Sequence, residues 1–272
     1  MKYVKVRFTG VSLELSDMLI AMLSDAGYNG FEENEGELLA YIGEEALNEP
    51  ELEAIATSLD VAFEKEVLVH QNWNALWESN FQPVVVDGIC AIRAHFHDIT
   101  VTTPHEIVIT PKMSFGTGHH ATTQQMMMVM NEMDLKGKSV LDFGTGTGVL
   151  AIFAEMLGAA SIFAIDNDEW SVENAIENTG RNNCTRITVQ QGSLEDVPGE
   201  KFDIILANIN RHILLQYMEA LRHKIEDNGQ ILMSGLLAED KDIIVTAASK
   251  AGLQLVKNGE LNNWIVLLFE KK

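Results

Sequence analysis

The stretch Asp142-Phe143-Gly144-Thr145-Gly146-Thr147-Gly148 sets three glycines at alternate positions, after the apolar Val140-Leu141 and before Val149–Ile152. Glycines spaced this way let a chain turn sharply from strand to helix, and let a ligand approach the backbone without meeting a Cβ. The next apolar run ends in Ala164-Ile165-Asp166, a carboxylate twenty-two residues past Gly144. A doubly wound fold offers an acid to a ribose diol from this position. Turn and acid together point to a nucleoside-containing cofactor.

Three details favour a methyl donor over a dinucleotide. The spacing is G-x-G-x-G preceded by Asp142, not G-x-G-x-x-G. A third apolar run ends in Gln191-Gly192-Ser193, small and polar enough to meet an adenine edge. A fourth, Phe202–Ala207, delivers Asn208 at its carboxyl end, outside which such sheets bind ligands. Its amide offers one acceptor and two donors, although an asparagine there equally suits a strand-ending turn. The letters FGTG occur once more, at Phe115–Gly118 in SFGTGHHATTQQ. Their flanks differ from those of Phe143–Gly146, so the two are not copies of one motif.

These residues need elements to hold them. From Ser139 onward, strands read at about 139–143, 161–165, 186–190, 202–207 and 229–234, with helices near 147–157, 169–181, 211–225 and 238–251. That alternation is the mark of a parallel sheet. Leu253–Lys257 and Trp264–Phe269 have only a polar turn, Gly259–Asn263, between them, so they must pair antiparallel. Upstream, Ala121–Met133 reads as a helix whose methionines (Met126, Met127, Met128, Met130, Met133) form adaptable core. Asp87-Gly88 between Val84–Val86 and Ile89–Ile92 signals a hairpin.

Residues 1–70 follow the order β-α-β-β-α-β of a ferredoxin-like unit. Val4, Val6 and Phe8 share one strand face; Leu15, Met18, Leu19, Met22, Leu23 and Ala26 recur at helical spacing. In residues 71–83, Trp73, Trp77 and Phe81 lie one helical turn apart, a stripe suited to packing on a neighbouring domain. The expected division is 1–70, a linker over 71–83, and 84–272 with a small antiparallel lead-in.

Forty acids against nineteen bases give a formal charge of −21. Residues 1–70 alone hold fifteen acids and four bases, Lys2, Lys5, Arg7 and Lys65. This sign repels a phosphate backbone and suits a basic protein partner, so direct nucleic-acid binding is not expected. Two isolated thiols, Cys90 and Cys184, fit a reducing cytoplasm. No signal peptide is read in MKYVKVRFTG, and Gly148–Ile165 reads as helix then strand, not a membrane span. His95 and His97 share one face of an expected strand, but no spacing of further ligands completes a metal site, so none is expected.

Asp142-x-Gly144-x-Gly146-x-Gly148, Asp166, Asn208 and the terminal hairpin resemble the class I S-adenosylmethionine-dependent methyltransferases. PKMSFGTGHHATT (Pro111–Thr123), Ala207-Asn208-Ile209 and the connector Asn72–Val84 narrow the resemblance. They are similar to the bacterial methyltransferases that modify protein eleven of the large ribosomal subunit. The resemblance implies an α/β fold: a Rossmann-like seven-stranded domain with a reversed C-terminal hairpin, preceded by a small α+β ferredoxin-like domain. It implies that Thr123, Gly144, Asp166 and Asn208 meet S-adenosylmethionine, with Gly144 and Gly146 as the floor beneath it; as a hypothesis from its amide chemistry, Asn208 would also orient the substrate amine. It also implies that the acidic front domain grips protein eleven. The Phe115–Thr123 loop would fold over the pocket, with Gly116 and Gly118 giving either freedom to open or a rigid turn. His120 would position or order that loop.

Asn208-Ile209-Asn210-Arg211 lacks the Pro-Pro-aromatic that stacks a flipped base in base-modifying enzymes. The residues alone leave open a methyltransferase for a different protein or a small molecule, or a non-catalytic cofactor-sensing module.

Overall fold

The computed structural model describes residues 3–34, 36–68, 81–112 and 115–271. The chain divides into two compact units, Met1–Trp77 and Glu78–Lys272. Of the expected linker, residues 71–80 lie outside the described residues, Trp73 and Trp77 among them.

The first unit contains β1 (Tyr3–Thr9), α1 (Leu13–Asp25), β2 (Gly30–Asn34), β3 (Glu37–Gly43), α2 (Glu49–Ser58) and β4 (Phe63–Leu68). Its strands run β2-β3-β1-β4, every neighbour antiparallel, which is the ferredoxin-like order. Ser12 caps α1 and Asn48 caps α2, each accepting from a backbone amide three residues on. Val4, Val6 and Phe8 are buried with Leu19, Leu23 and Ile55. Met18 and Met22 share the helical spacing but stay out of this core, 50% and 37% exposed. The buried stripe of α1 is narrower than the apolar spacing suggests.

The second unit opens with β5 (Val84–Val86), β6 (Cys90–Ala94) and β7 (His105–Ile109). Asp87 and Gly88 take φ of 44° and 69°, the left-handed pair that a two-residue hairpin turn requires. The lead-in is not wholly antiparallel, because β7 pairs parallel with β6. Its return crosses the segment between Ala94 and His105, too long for a hairpin. His95 and His97 lie beyond the end of β6, not on its face. His97 Nδ1 accepts from Ala94 N–H at 3.2 Å.

After α3 (Ala121–Glu132), the main sheet is built from β8 (Ser139–Phe143), β9 (Ser161–Asp166), β10 (Ile187–Gln191), β11 (Phe202–Asn208), β12 (Ile225–Leu237), β13 (Leu253–Leu261) and β14 (Trp264–Lys271). Helices α4 (Val149–Met156), α5 (Glu169–Arg181), α6 (Arg211–Lys224) and α7 (Lys241–Lys250) connect them. Strand order is β10-β9-β8-β11-β12-β14-β13, with β14 antiparallel to both of its neighbours. Side chains alternate between two cores, Ile204 and Leu206 entering one while Ile205 and Ala207 enter the other. Met126, Met127 and Met130 are fully buried in the first. The terminal turn is tighter than the sequence suggests: β13 runs on to Leu261, leaving only Asn262 and Asn263, with φ of 53° and 65°. Asparagine tolerates that conformation better than most residues. Among the described residues, no helix is long and apolar enough to cross a membrane.

Candidate active site

The order of the main sheet reverses at β8, whose neighbours β9 and β11 lead away to opposite edges. Ligands of open α/β sheets bind at such a switch point, beyond the carboxyl ends of the strands. Here the chain leaves β8 through the glycine turn. Gly144 and Thr145 donate their amides to Ile165 O at 2.9 and 3.1 Å. Gly146 N–H donates to Asp166 Oδ2 at 2.9 Å, and Asp168 N–H donates to Asp166 Oδ1 at 3.1 Å. Turn and acid thus hold each other. Each carboxylate oxygen keeps acceptor capacity for a ligand hydroxyl.

The glycines are needed for space as well as for backbone shape. A Cβ on Gly144 would stand 2.4 Å from Ile209 Cγ2, and one on Gly146 would stand 2.3 Å from Phe115 O. Gly148, at φ 80°, caps α4, so that helix starts at Val149 with its apolar run, two residues later than the expected start near 147. Asp142 is buried beneath the turn. Burial pushes its carboxyl up to about 7, against the pull of the Thr145 hydroxyl, which donates to Oδ2 at 2.6 Å.

Phe115 O is close because the second FGTG lies directly against the first. Thr147 N–H donates to Phe115 O at 3.0 Å, and Thr147 Oγ1 donates to Gly116 O at 2.8 Å. Gly116 and Gly118 have φ of 101° and 89°. These angles suit glycine at both positions, and the two hydrogen bonds hold the start of the loop against the glycine turn. His120 caps α3: its Nδ1 lies 2.8 Å from Thr122 Oγ1 and accepts from Thr122 N–H. This ties the histidine to the order of the loop.

Thr123, Gly144, Gly146, Asp166 and Asn208 all line one cavity of about 660 Å³. Asn208 ends β11, nine-tenths buried, and its Nδ2 donates to Thr123 Oγ1 at 3.4 Å. Asn208 Oδ1 has no partner. A buried, unpaired acceptor on a residue that lines a cavity is costly unless a donor reaches it. Gly192 and Ser193 also line the cavity. Among the described residues no group of three histidine, cysteine or acidic side chains is placed to hold a metal.

Sequence reasoning missed part of the wall. Trp264, Tyr217 and Gly235 line the cavity too. Trp264 meets His120 edge-on at 4.6 Å, and His120 lies 5.3 Å from Phe115. Gly235 sits where a Cβ would strike Ile209 O at 2.5 Å. The rule that points to Asn208 applies equally to Ser234-Gly235 on β12, so that glycine had a signal. Trp264 and Tyr217 had none, being single aromatics on a hairpin and a helix.

A seven-stranded sheet of this order, with a glycine turn, an acid and an asparagine at its switch point, defines a class I methyltransferase domain. Residues 14–272 match the family model described as ribosomal protein L11 methyltransferase (PrmA). The ribosomal protein L11 methyltransferase of Porphyromonas gingivalis is 41% identical over 93% of this chain and 90% of its own length. That of Phocaeicola vulgatus is 39% identical over the whole of both. A crystal structure of a ribosomal protein L11 methylase from Lactobacillus delbrueckii subsp. bulgaricus superimposes with a TM-score of 0.67 at 31% identity, covering 71% of this chain and all of that one. The chain belongs to the ribosomal protein L11 methyltransferase family.

Proposed function

We propose that this enzyme transfers methyl groups from S-adenosylmethionine to lysine ε-amines of large-subunit ribosomal protein eleven, and to its N-terminal α-amine, in the cytoplasm. The unpaired Asn208 Oδ1 carries the reading, because it is a buried acceptor on a residue that lines the same cavity as the glycine turn and Asp166. The residues fit the cofactor. Asp166 would accept from the ribose hydroxyls, Gly144 and Gly146 would leave room for the ligand beside the turn, and Gly192 and Ser193 would meet the adenine. Bound there, S-adenosylmethionine supplies a methyl group already activated on a sulfonium, so the protein's task is placement.

The chain's own groups provide that placement. Asn208 Oδ1 accepts an N–H of the incoming amine and turns its lone pair inward. Thr123 Oγ1, which accepts from Asn208 Nδ2, fixes which way the carboxamide faces. Phe115, Trp264 and Ile209 shield this end of the cavity from water. Only about one lysine in a few thousand is neutral at pH 7, and a dry wall raises that fraction by disfavouring the ammonium. His120 Nδ1 is engaged in the helix cap, and in this reading the proton passes to water before attack. The acidic 1–70 domain holds the basic substrate through its surplus of carboxylates.

Mass spectrometry of unmethylated large-subunit proteins, incubated with enzyme and S-adenosylmethionine, tests this. The expected result is added methyl masses on protein eleven alone, abolished by Asp166→Ala and lowered at least a hundredfold in rate by Asn208→Ala. Cofactor binding without methylation of any ribosomal protein would overturn the substrate assignment.

A further inference from the structure

Asparagines recur every four residues along one face of α5 and its C-cap, at Asn174, Asn178 and Asn182. The first two are wholly buried. Their partners are Val108, on the free edge of β7, the last strand of its sheet, and Thr110, the residue just past its end. Asn182 Oδ1 accepts from Val108 N–H at 2.9 Å and its Nδ2 donates to Val108 O at 2.7 Å. Asn178 Oδ1 accepts from Thr110 N–H at 2.8 Å, and Asn174 Nδ2 donates to Thr110 O at 3.1 Å. Side-chain amides thus replace a missing neighbouring strand and satisfy an edge that would otherwise need one.

Two contacts do not serve that purpose: Asn182 Nδ2 also donates to Asn178 O at 2.7 Å, within the helix end, and the second leaves the helix. Asn178 Nδ2 turns away from β7 and donates to Thr147 O at 2.9 Å. Thr147 is the residue whose amide and hydroxyl hold Phe115 O and Gly116 O. Asn178 therefore grips the chain that leads into the upper loop with its oxygen, and the glycine turn with its nitrogen. It does not line the cavity itself. Covering a strand edge requires no bond to Thr147; setting the spacing of two loops does.

We propose that Asn178 is a positioning residue that fixes the separation of the two FGTG loops, and through it the affinity for S-adenosylmethionine. This rests on the cofactor reading above. Asn182 is the internal comparison, because it covers the same edge without touching the glycine turn.

Asn178→Asp keeps the acceptor for Thr110 N–H and removes the donor to Thr147 O. Calorimetric titration with S-adenosylmethionine should show its Kd raised about tenfold or more, with KM for the cofactor rising in step and kcat at saturation within about threefold of wild type. Hydrogen exchange in the cofactor-free protein should quicken at the Thr147 amide. Asn182→Ala should lower Tm yet leave Kd and that amide within about twofold of wild type. Should Asn178→Asp not fold, Asn178→Gln, which carries both groups one methylene further out, gives the same pattern. Equal Kd values and equal exchange at Thr147 in Asn178 and Asn182 variants would reduce Asn178 to an edge cover. If wild type bound no cofactor, the cofactor reading itself would fall, and exchange at Thr147 would still decide whether Asn178 joins the loops.

Discussion

Two carboxylates near the glycine turn illustrate how placement separates the roles of identical side chains. Asp166 is partly open and accepts two backbone amides, which leaves it placed to meet a ligand. Asp142 is buried under the turn, and burial raises its carboxyl from 3.8 to about 7. The folded state therefore holds a proton on Asp142 over a range where the unfolded chain has released it. Stability from this group is fullest below pH 4 and falls as pH climbs from about 4 to 7. Asp142→Asn keeps an acceptor for the Thr145 hydroxyl and removes the titration. The melting temperature of Asp142→Asn minus that of wild type should rise by several degrees between pH 4 and pH 8. A difference flat across that range would mean that Asp142 is ionised throughout.

At the scale of elements, the contact between the two FGTG loops makes a sharper claim about Gly146. Its φ of 55° strains any other residue, and an added Cβ would lie 2.3 Å from a backbone oxygen that cannot swing away. Gly137 shares the positive φ, at 75°, but has nothing within 4 Å of such a Cβ. Gly137→Ala should then cost about 1 kcal/mol of stability through the backbone alone and leave cofactor affinity unchanged. Gly146→Ala should weaken cofactor binding by about a hundredfold, because one loop must move off the other. Equal affinities for the two variants would show that the loops yield without consequence.

These elements also show what a sequence can and cannot disclose. Helix α5 falls at 169–181 as expected, with Asp168 as its cap. Yet which face it buries is not legible, because Trp170 and Ile176 stay exposed while Asn174 and Asn178 are buried. The alternation that announces a parallel sheet is local. That β7 lies parallel to β6, or that β14 inserts between β12 and β13, depends on partners far apart in sequence. Within the site, the turn, the acid and the asparagine carry local marks at strand ends. The meeting of Trp264 with His120, and of Asn178 with both Thr110 and Thr147, exists only once the sheet has assembled.

For the whole molecule, the formal charge of −21 is unevenly placed, since residues 1–70 contribute fifteen acids and four bases. Several bases there are already paired: Lys5 with Glu66, Arg7 with Glu37 and Lys65 with Glu49. Most of the remaining carboxylates are therefore uncompensated and would act over distance on the basic partner proposed above. Salt shortens that reach, from about 10 Å at 0.1 M to about 3 Å at 1 M. The cofactor cavity works differently, through short hydrogen bonds and excluded volume that salt screens little. Raising ionic strength from 0.05 to 0.3 M should thus raise KM for the protein substrate roughly tenfold, chiefly by slowing encounter. KM for S-adenosylmethionine should move by less than about twofold under the same change. Steady-state kinetics with each substrate varied in turn separates the two. A protein-substrate KM indifferent to salt would leave the acids of residues 1–70 with solubility as their role, and recognition of the substrate would then rest on the apolar groups that this unit exposes, Met18 and Met22 on α1 among them.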